Sequence, residues 1–392
     1  MTVQKIIDHI KRLEPELLDF LKEMVLIQSG SRNKKGVDAV GHLIRSRLRG
    51  HDFLFDVNRQ TEFGDHLIVR SRSTKKNRRQ VLLTGHMDTV FPADTEFRDF
   101  QRDGNRCYGP GVIDMKGGLA VAIYALKTLD TLGMLADLPV TLICNSDEEI
   151  GSPSSRGLIR EEARKSVFAF VLEAGGINGG VVTGRKGNMV LELHIHGQDG
   201  HAAFAGHNKA SAILELAHQT IALEALNDAD AGISVNVGQV TGGIGHNSVP
   251  ATAWALIDFR FENSTQRSSL HDAITLGTSA PQIAGTRVAY KIRSERPAMP
   301  DCAANANLYE ILAETAVKLR LPIQAEFRFG VSDANIIADE GIPVLDGLGP
   351  IGADDHSNAE YMITPSLAER TCLLACALVR CWQRHLQGGF PV

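Results

Sequence analysis

The stretch LICNSDEEIGS, Leu142–Ser152, runs an apolar segment into three consecutive acids, Asp147, Glu148 and Glu149. Adjacent carboxylates repel one another and each resists leaving water, so such a run either stays solvated or gathers around a cation. Four other segments carry related chemistry. VLLTGHMDTV ends in His86 and Asp88, and GPGVIDMKGG holds Asp114 just ahead of a helix-like stretch. FAFVLEAGG supplies Glu173 and GADDHSNAEY supplies His356. Imidazole nitrogen and carboxylate oxygen, with a position left for water, are the donors of catalytic zinc. One HxD alone is usually a surface turn. Five segments delivering such donors at predicted loops argue for a common metal centre.

The elements around these loops are those of an α/β sheet. Ile6, Ile10, Leu13, Leu17, Leu21 and Met24 recur at helical spacing, as do Val37, Val40, Ile44 and Leu48. The runs FLFDV, HLIVRS, VLLTGH, VTLICN and FAFVLEAG read as strands, with a helix over 116–132 between the third and fourth. In open sheets of this kind, functional loops collect at the carboxyl ends of strands. The pattern changes near Gly184. MVLELHIHG alternates with period two, setting Leu191, Leu193 and Ile195 against His194 and His196. The order that follows, β-α-β-β-α-β, is the ferredoxin-like signature. Helical and strand patterns of the first type resume after Pro297. The expected architecture is an α/β domain over 1–184 and 297–392, interrupted by a smaller α+β domain over 185–296.

The totals exclude several classes. A formal charge of −5 gives no general attraction to nucleic acid or to an anionic membrane. The one basic run, RSRSTKKNRR, has no interleaved aromatics for base stacking and reads as a solvated hairpin tip. Six cysteines without CxxC spacing fit free thiols. With no apolar stretch of membrane-span length and no signal-peptide core at the N-terminus, the expected location is cytoplasmic. GPGVIDMKGG does not have the GxGxxG spacing of a dinucleotide site.

Taken together, HMDTV, GxxDMKGG, DEEIGS, LEAG and DHSNAEY resemble, in order, the motifs of the dinuclear zinc amidohydrolases that include glutamate carboxypeptidase, acetylornithine deacetylase and succinyl-diaminopimelate desuccinylase. ASAILELAHQ, SDAN and LDGLGP bring the chain nearest the glutamate carboxypeptidase branch. The resemblance implies a mixed-sheet zinc-exopeptidase domain with an inserted ferredoxin-like dimerisation (lid) domain, two Zn2+ per subunit with Co2+ or Mn2+ as substitutes, and a homodimer. It assigns Asp114 as the bridge between metals, His86 and Glu173 to one, Glu149 and His356 to the other. It makes Asp88 the acid that orients the His86 imidazole, Glu148 the general base, and the peptide after Asp114 cis. Asp147 is left as a helix cap or solvated acid. His201, in GQDGHAAFAG, matches the histidine that in relatives reaches across a dimer interface to the tetrahedral oxyanion. Asn247 and Arg260 match positions that grip substrate, the guanidinium fork suiting a carboxylate.

Two departures stand out: Gly206 lies where relatives usually have proline, and Lys209 where glycine is common. A separate metal site at His194, His196, His201 and His207 is disfavoured, because strand alternation already accounts for the first two. Arg185 and Lys186 read as solvated charges at the junction. The expected reaction is hydrolysis of an amide next to a free carboxylate, on a dipeptide-like or other small molecule. Carboxypeptidase action comes first and N-acyl amino acid deacylation second. A catalytically silent ligand-binding homologue is the rival of a different class.

Overall fold

The computed structural model describes residues 2–76 and 79–388. It divides into two units, one formed by 1–184, 301–328 and 332–392, the other by 185–300 with 329–331.

The first unit is built on a six-stranded mixed sheet in the order 53–58, 66–71, 140–145, 80–86, 166–171, 344–345. The last four run parallel, and the first two form an antiparallel edge. Strands 80–86, 140–145 and 166–171 are buried along their whole length. That is what apolar runs covered by helices on both faces require. On one face the helix Lys116–Thr131 lies between Thr2–Val25 and Thr364–Leu386. On the other, Arg156–Arg164 and Asp333–Ala338 cover strand 166–171. Because three of the parallel strands end side by side, His86, Asn145 and Val171 lie at one edge of the sheet, with the His86 strand in the middle.

Two glycines set how closely the Lys116 helix approaches that edge. A Cβ on Gly118 would stand 1.9 Å from the Leu172 carbonyl oxygen, and one on Gly117 2.2 Å from that of Val112. Any larger residue would push the helix start, and Asp114 with it, away from the strand that leads to Glu173.

The basic run is not a hairpin tip. Strand 140–145 separates 66–71 from 80–86, so the connection is a crossover. Arg70 is an internal tie, donating to Glu162 at 2.8 and 3.0 Å. Asn77 and Arg78 lie outside the described residues.

The second unit is a four-stranded antiparallel sheet in the order 234–242, 252–261, 187–196, 287–296. Helices Ala212–Glu224 and Ser264–Ser279 cover one face, giving the ferredoxin-like topology. Leu191, Leu193 and Ile195 are buried beneath them, while His194 and His196 point the other way and are exposed. Arg185 and Lys186 are not solvated charges. Arg185 is buried and donates to the Gly330 carbonyl at 3.0 Å. Lys186 donates to the Gly232 carbonyl and sits 5.0 Å over the Phe329 ring. Arg185 ends strand 180–185 and the next strand begins at Gly187, so the junction is a continuation of paired backbone and not an exposed hinge.

Candidate metal centre

Asp114 stands between two imidazoles. Its Oδ1 is 3.0 Å from His86 Nε2 and its Oδ2 is 3.0 Å from His356 Nε2. Each imidazole has a second acid of its own: Glu173 Oε1 lies 3.7 Å from His86 Nε2, and Glu149 Oε2 lies 3.3 Å from His356 Nε2. The donor atoms of His86, Asp114 and Glu173 lie within 4.8 Å of one another. The same holds for Asp114, Asp355 and His356. All these residues belong to the first unit.

Each reaches the cluster by a different route. His86 ends the central parallel strand, Glu148 and Glu149 open a short 3-10 turn after strand 140–145, and Glu173 follows strand 166–171. Asp114 precedes the buried helix and is joined to Met115 by a cis peptide. Its backbone is held by Glu360, a fully buried acid that accepts from the N–H groups of Gly111, Ile113 and Asp114 at 3.0, 2.9 and 3.2 Å. His356 occupies a turn with φ +59°, the left-handed region that non-glycine residues rarely adopt.

The electrostatics are those of a cation site. Burial and the neighbouring Asp114 charge push Glu149 up to about 8. The same two causes, in the same order, raise Glu173 well above the ordinary carboxylate range. Burial opposes charge on His86, yet hydrogen bonds to Asp114 and Asp88 raise its pKa well above normal. His356, hydrogen-bonded to Asp114 and Glu149, is pushed up to about 11. Burial alone would raise Asp114, but the two imidazoles hold it far below the usual range. This much negative charge collects protons on both histidines and would attract divalent cations to the same place. Glu149 Oε1 is buried with no hydrogen-bond partner. An unpaired buried carboxylate oxygen is costly unless a ligand satisfies it, so the donor set fits divalent metal.

Asp88 is fully buried and works on more than His86. The imidazole Nδ1 lies 2.9 Å from the Asp88 main-chain carbonyl and 3.4 Å from its carboxylate. That carboxylate accepts from the Ser31 hydroxyl at 2.7 Å and from the Glu148 and Glu149 N–H groups, each at 3.3 Å. It therefore fixes the turn that presents both glutamates. Asp147 is buried and neither solvated nor a side-chain cap of the turn it opens: Ser154 and Ser155 donate to it through both backbone and hydroxyl, at 2.5 to 3.2 Å.

Several contributors escaped the sequence reading. Glu360 lay inside DHSNAEY, whose acid went unused, and Asp355 sits next to His356 in the same segment. Lys116 is fully buried, donates to the Ile27 carbonyl at 2.8 Å, and is lowered to about 7 by burial. His66 is buried between the Ser146 and Ser154 hydroxyls, 3.0 Å from each. No local pattern marks these last two.

In the second unit, His201 and Asn247 are brought together and Arg260 is not. The Asn247 carbonyl accepts from Ala202 N at 2.9 Å, and His201 pairs with Ser248 across a two-residue ladder. Arg260 is at the other end of strand 252–261, eight residues from its start, roughly 26 Å at strand rise. Its Nε and Nη2 are engaged by Asp258 at 2.7 and 3.1 Å.

A mixed sheet with acids and imidazoles collected at its carboxyl edge, joined to a ferredoxin-like unit, is the architecture of a metallopeptidase. Solved structures share it. The chain aligns over 94% of its length with 98% of aminopeptidase PepT from Bacillus cereus (TM-score 0.78, 21% identity). It aligns over 93% with 99% of a metallo-carboxypeptidase from Sulfolobus solfataricus (TM-score 0.70, 18% identity). Among curated relatives, carboxypeptidase G2 of Pseudomonas sp. (strain RS-16) is 25% identical over 368 residues, 92% of this chain and 88% of that one. Succinyl-diaminopimelate desuccinylase of Corynebacterium glutamicum is 30% identical over 207 residues, 51% of this chain and 55% of that one. Residues 82–380 match the model for Peptidase family M20/M25/M40. The chain belongs to that family and is a hydrolase of its peptidase and amidohydrolase class.

Proposed function

We propose that the chain is a two-zinc exopeptidase that hydrolyses an amide bond next to a free carboxylate, releasing a C-terminal amino acid. The observation that carries this reading is Asp114, whose two oxygens face two imidazoles, each flanked by its own glutamate. His86, Glu173 and Asp114 would hold one cation, and His356, Glu149 and Asp114 the other, with Co2+ or Mn2+ as substitutes for zinc. Bound there, the pair would supply Lewis acidity toward a carbonyl oxygen and would acidify water. Glu148 carries the proton. Its backbone hangs from Asp88, and its charge is felt by both Glu149 and Glu173. It accepts a proton from the attacking water and returns it to the departing amine nitrogen.

Arg260 holds the substrate carboxylate, while His201 donates to the oxyanion and Asn247, next to His201, grips the substrate from that same side. Since His201 pairs with Ser248, just ahead of strand 252–261, and Arg260 lies near the far end of that strand, a single copy does not bring both to the same carbonyl. A homodimer through the ferredoxin-like unit, with His201 and Asn247 supplied together by the partner, resolves this. Phe204 and Ile244, 86% and 93% exposed, and the apolar Val240 on edge strand 234–242 support such a contact. Residues 185–296 are thus the dimerisation domain, and 1–184 with 297–392 the catalytic one. Deacylation of an N-acyl amino acid is the second reading, favoured by the likeness to the desuccinylase. The same bond breaks in both. A cytoplasmic setting fits six free cysteines and the lack, among the described residues, of any helix long and apolar enough to cross a membrane.

The test is metal analysis of purified protein with a screen of dipeptides and N-acyl amino acids, before chelation, after it, and after zinc is returned. Two equivalents of metal and activity that follows them are expected. Turnover that survives complete removal of metal overturns the reading.

A further inference from the structure

Beside the metal centre the segment Ser29–Asn33 is zipped to Thr89–Phe91. Thr89 N donates to the Ser29 carbonyl at 3.0 Å, and Ser31 N to that of Thr89 at 3.3 Å. Gly30 is needed for this approach, because a Cβ there would stand 2.2 Å from the Phe91 carbonyl oxygen. Ser31 is tied to Asp88, and Asn33 caps the helix Lys34–Arg47 by accepting from Gly36 N. Arg32 therefore sits on backbone anchored at both sides. Its side chain is exposed and has no ion-pair partner among the described residues, whereas neighbouring Lys34 is engaged by Asp38 and Asp65. Between the two segments lies a cavity of about 470 Å³ whose walls include Arg32, Val90, Phe91, Pro92, Ile150 and Glu149. Such a volume suits a small organic ligand. Glu149 also faces His356, so the cavity adjoins the metal centre.

We propose that this cavity receives the acyl side of the substrate and that Arg32 selects a negatively charged end on it. The inference rests on the amide-hydrolase reading above and narrows its substrate class. The preferred compounds are amino acids acylated by a short dicarboxylic chain or by an acidic residue, carrying one carboxylate on each side of the scissile bond. Val90 and Ile150 line the path of the apolar spacer, and the Arg32 fork pairs with the terminal carboxylate. Among the described residues that line the cavity, Arg32 is the one cation, so a carboxylate entering there is held by its guanidinium.

The experiment compares N-glutaryl and N-valeryl derivatives of one amino acid, equal in chain length and differing in the terminal carboxylate, on metal-loaded wild type, Arg32→Ala and Arg32→Lys. Wild type should favour the glutaryl compound at least tenfold in kcat/KM. Arg32→Ala should abolish the preference while leaving the valeryl compound within threefold, and Arg32→Lys should keep part of it. Binding of the same pair by calorimetry to Glu148→Gln protein, with and without Arg32→Ala, reads the subsite without turnover. If neither compound is hydrolysed, the hydrolase reading fails, while a binding difference that disappears with Arg32→Ala still supports the subsite. No glutaryl preference in wild type, a preference that survives Arg32→Ala, or an equal loss on both compounds overturns the proposal.

Discussion

Replacing Asp88 by asparagine tests how the centre is assembled. The Asp88 carboxylate accepts from three donors, Ser31 Oγ and Glu149 N on one oxygen and Glu148 N on the other, with His86 Nδ1 3.4 Å from the latter. Asparagine has one acceptor oxygen. If its amide nitrogen takes the Glu148 side, it meets two donors, the Glu148 N–H and the His86 Nδ1. If it takes the other side, Ser31 can rotate to accept, but the Glu149 N–H loses its acceptor. The second arrangement is the less costly, and it leaves one buried N–H unsatisfied, about 1–3 kcal/mol. At about 1.4 kcal/mol per tenfold, that is roughly a 5- to 140-fold loss, shared between metal affinity and turnover because both glutamates hang from the same turn. Equilibrium dialysis against a zinc chelator should show the weakened affinity, and kcat at saturating zinc should fall as Glu148 shifts. Ser31→Ala, which removes one donor and leaves both N–H groups satisfied, should change either quantity by less than threefold. Wild-type affinity and wild-type kcat in Asp88→Asn would refute this account of the turn.

Glu148→Gln should keep its metal content and lose about 10²–10⁴ in kcat, the usual contribution of a general acid–base. Metal content by elemental analysis together with kcat decides it, and full activity would remove Glu148 from the proton path. The Arg70–Glu162 tie makes a prediction about stability. Burial alone would raise Glu162, but hydrogen bonds from Arg70, Gln80 and Lys165 lower it from 4.5 to about 2, worth on the order of 3 kcal/mol. A carboxylate depressed in this way stabilises the fold fully above pH 4.5 and loses that effect as pH falls from 4.5 toward 2. Urea unfolding should therefore show wild type ahead of Glu162→Gln by about that amount at pH 7, with the gap closing in that window; a pH-independent gap would contradict it.

How much was legible in the sequence follows from how local each signal is. The strands at 66–71 and 140–145 have the expected bounds, because apolar runs are properties of adjacent residues. The ferredoxin-like order was readable for the same reason. The supposed hairpin between 66–71 and 80–86 was not, since which strand lies between them depends on a segment more than fifty residues downstream. Asp88 shows the same limit within the site. Its spacing from His86 pointed to the imidazole, yet its carboxylate is mostly spent on Ser31 and on the amides of Glu148 and Glu149, about sixty residues away. Asp147 could not be told from a solvated acid until Ser154 and Ser155 folded back over it.

The order of the strands explains why five donors distant in sequence meet at one point. Parallel neighbours 140–145, 80–86 and 166–171 must be joined by crossovers, so their carboxyl ends share an edge. The first of those crossovers is the helix Lys116–Thr131, whose start is let onto the Leu172 end of the sheet by Gly118. That contact carries Asp114 to the space between the strand that ends in His86 and the one that leads to Glu173. His356 is the only donor of the five not brought in by the central strands or their crossover. It hangs from a peripheral turn, its side chain 55% exposed and tied, among the described residues, to Asp114 and Glu149. The half of the centre that depends on His356 is thus the less constrained by the fold. Of two bound cations, the one held by His356 and Glu149 should be the first to leave as a chelator is titrated in.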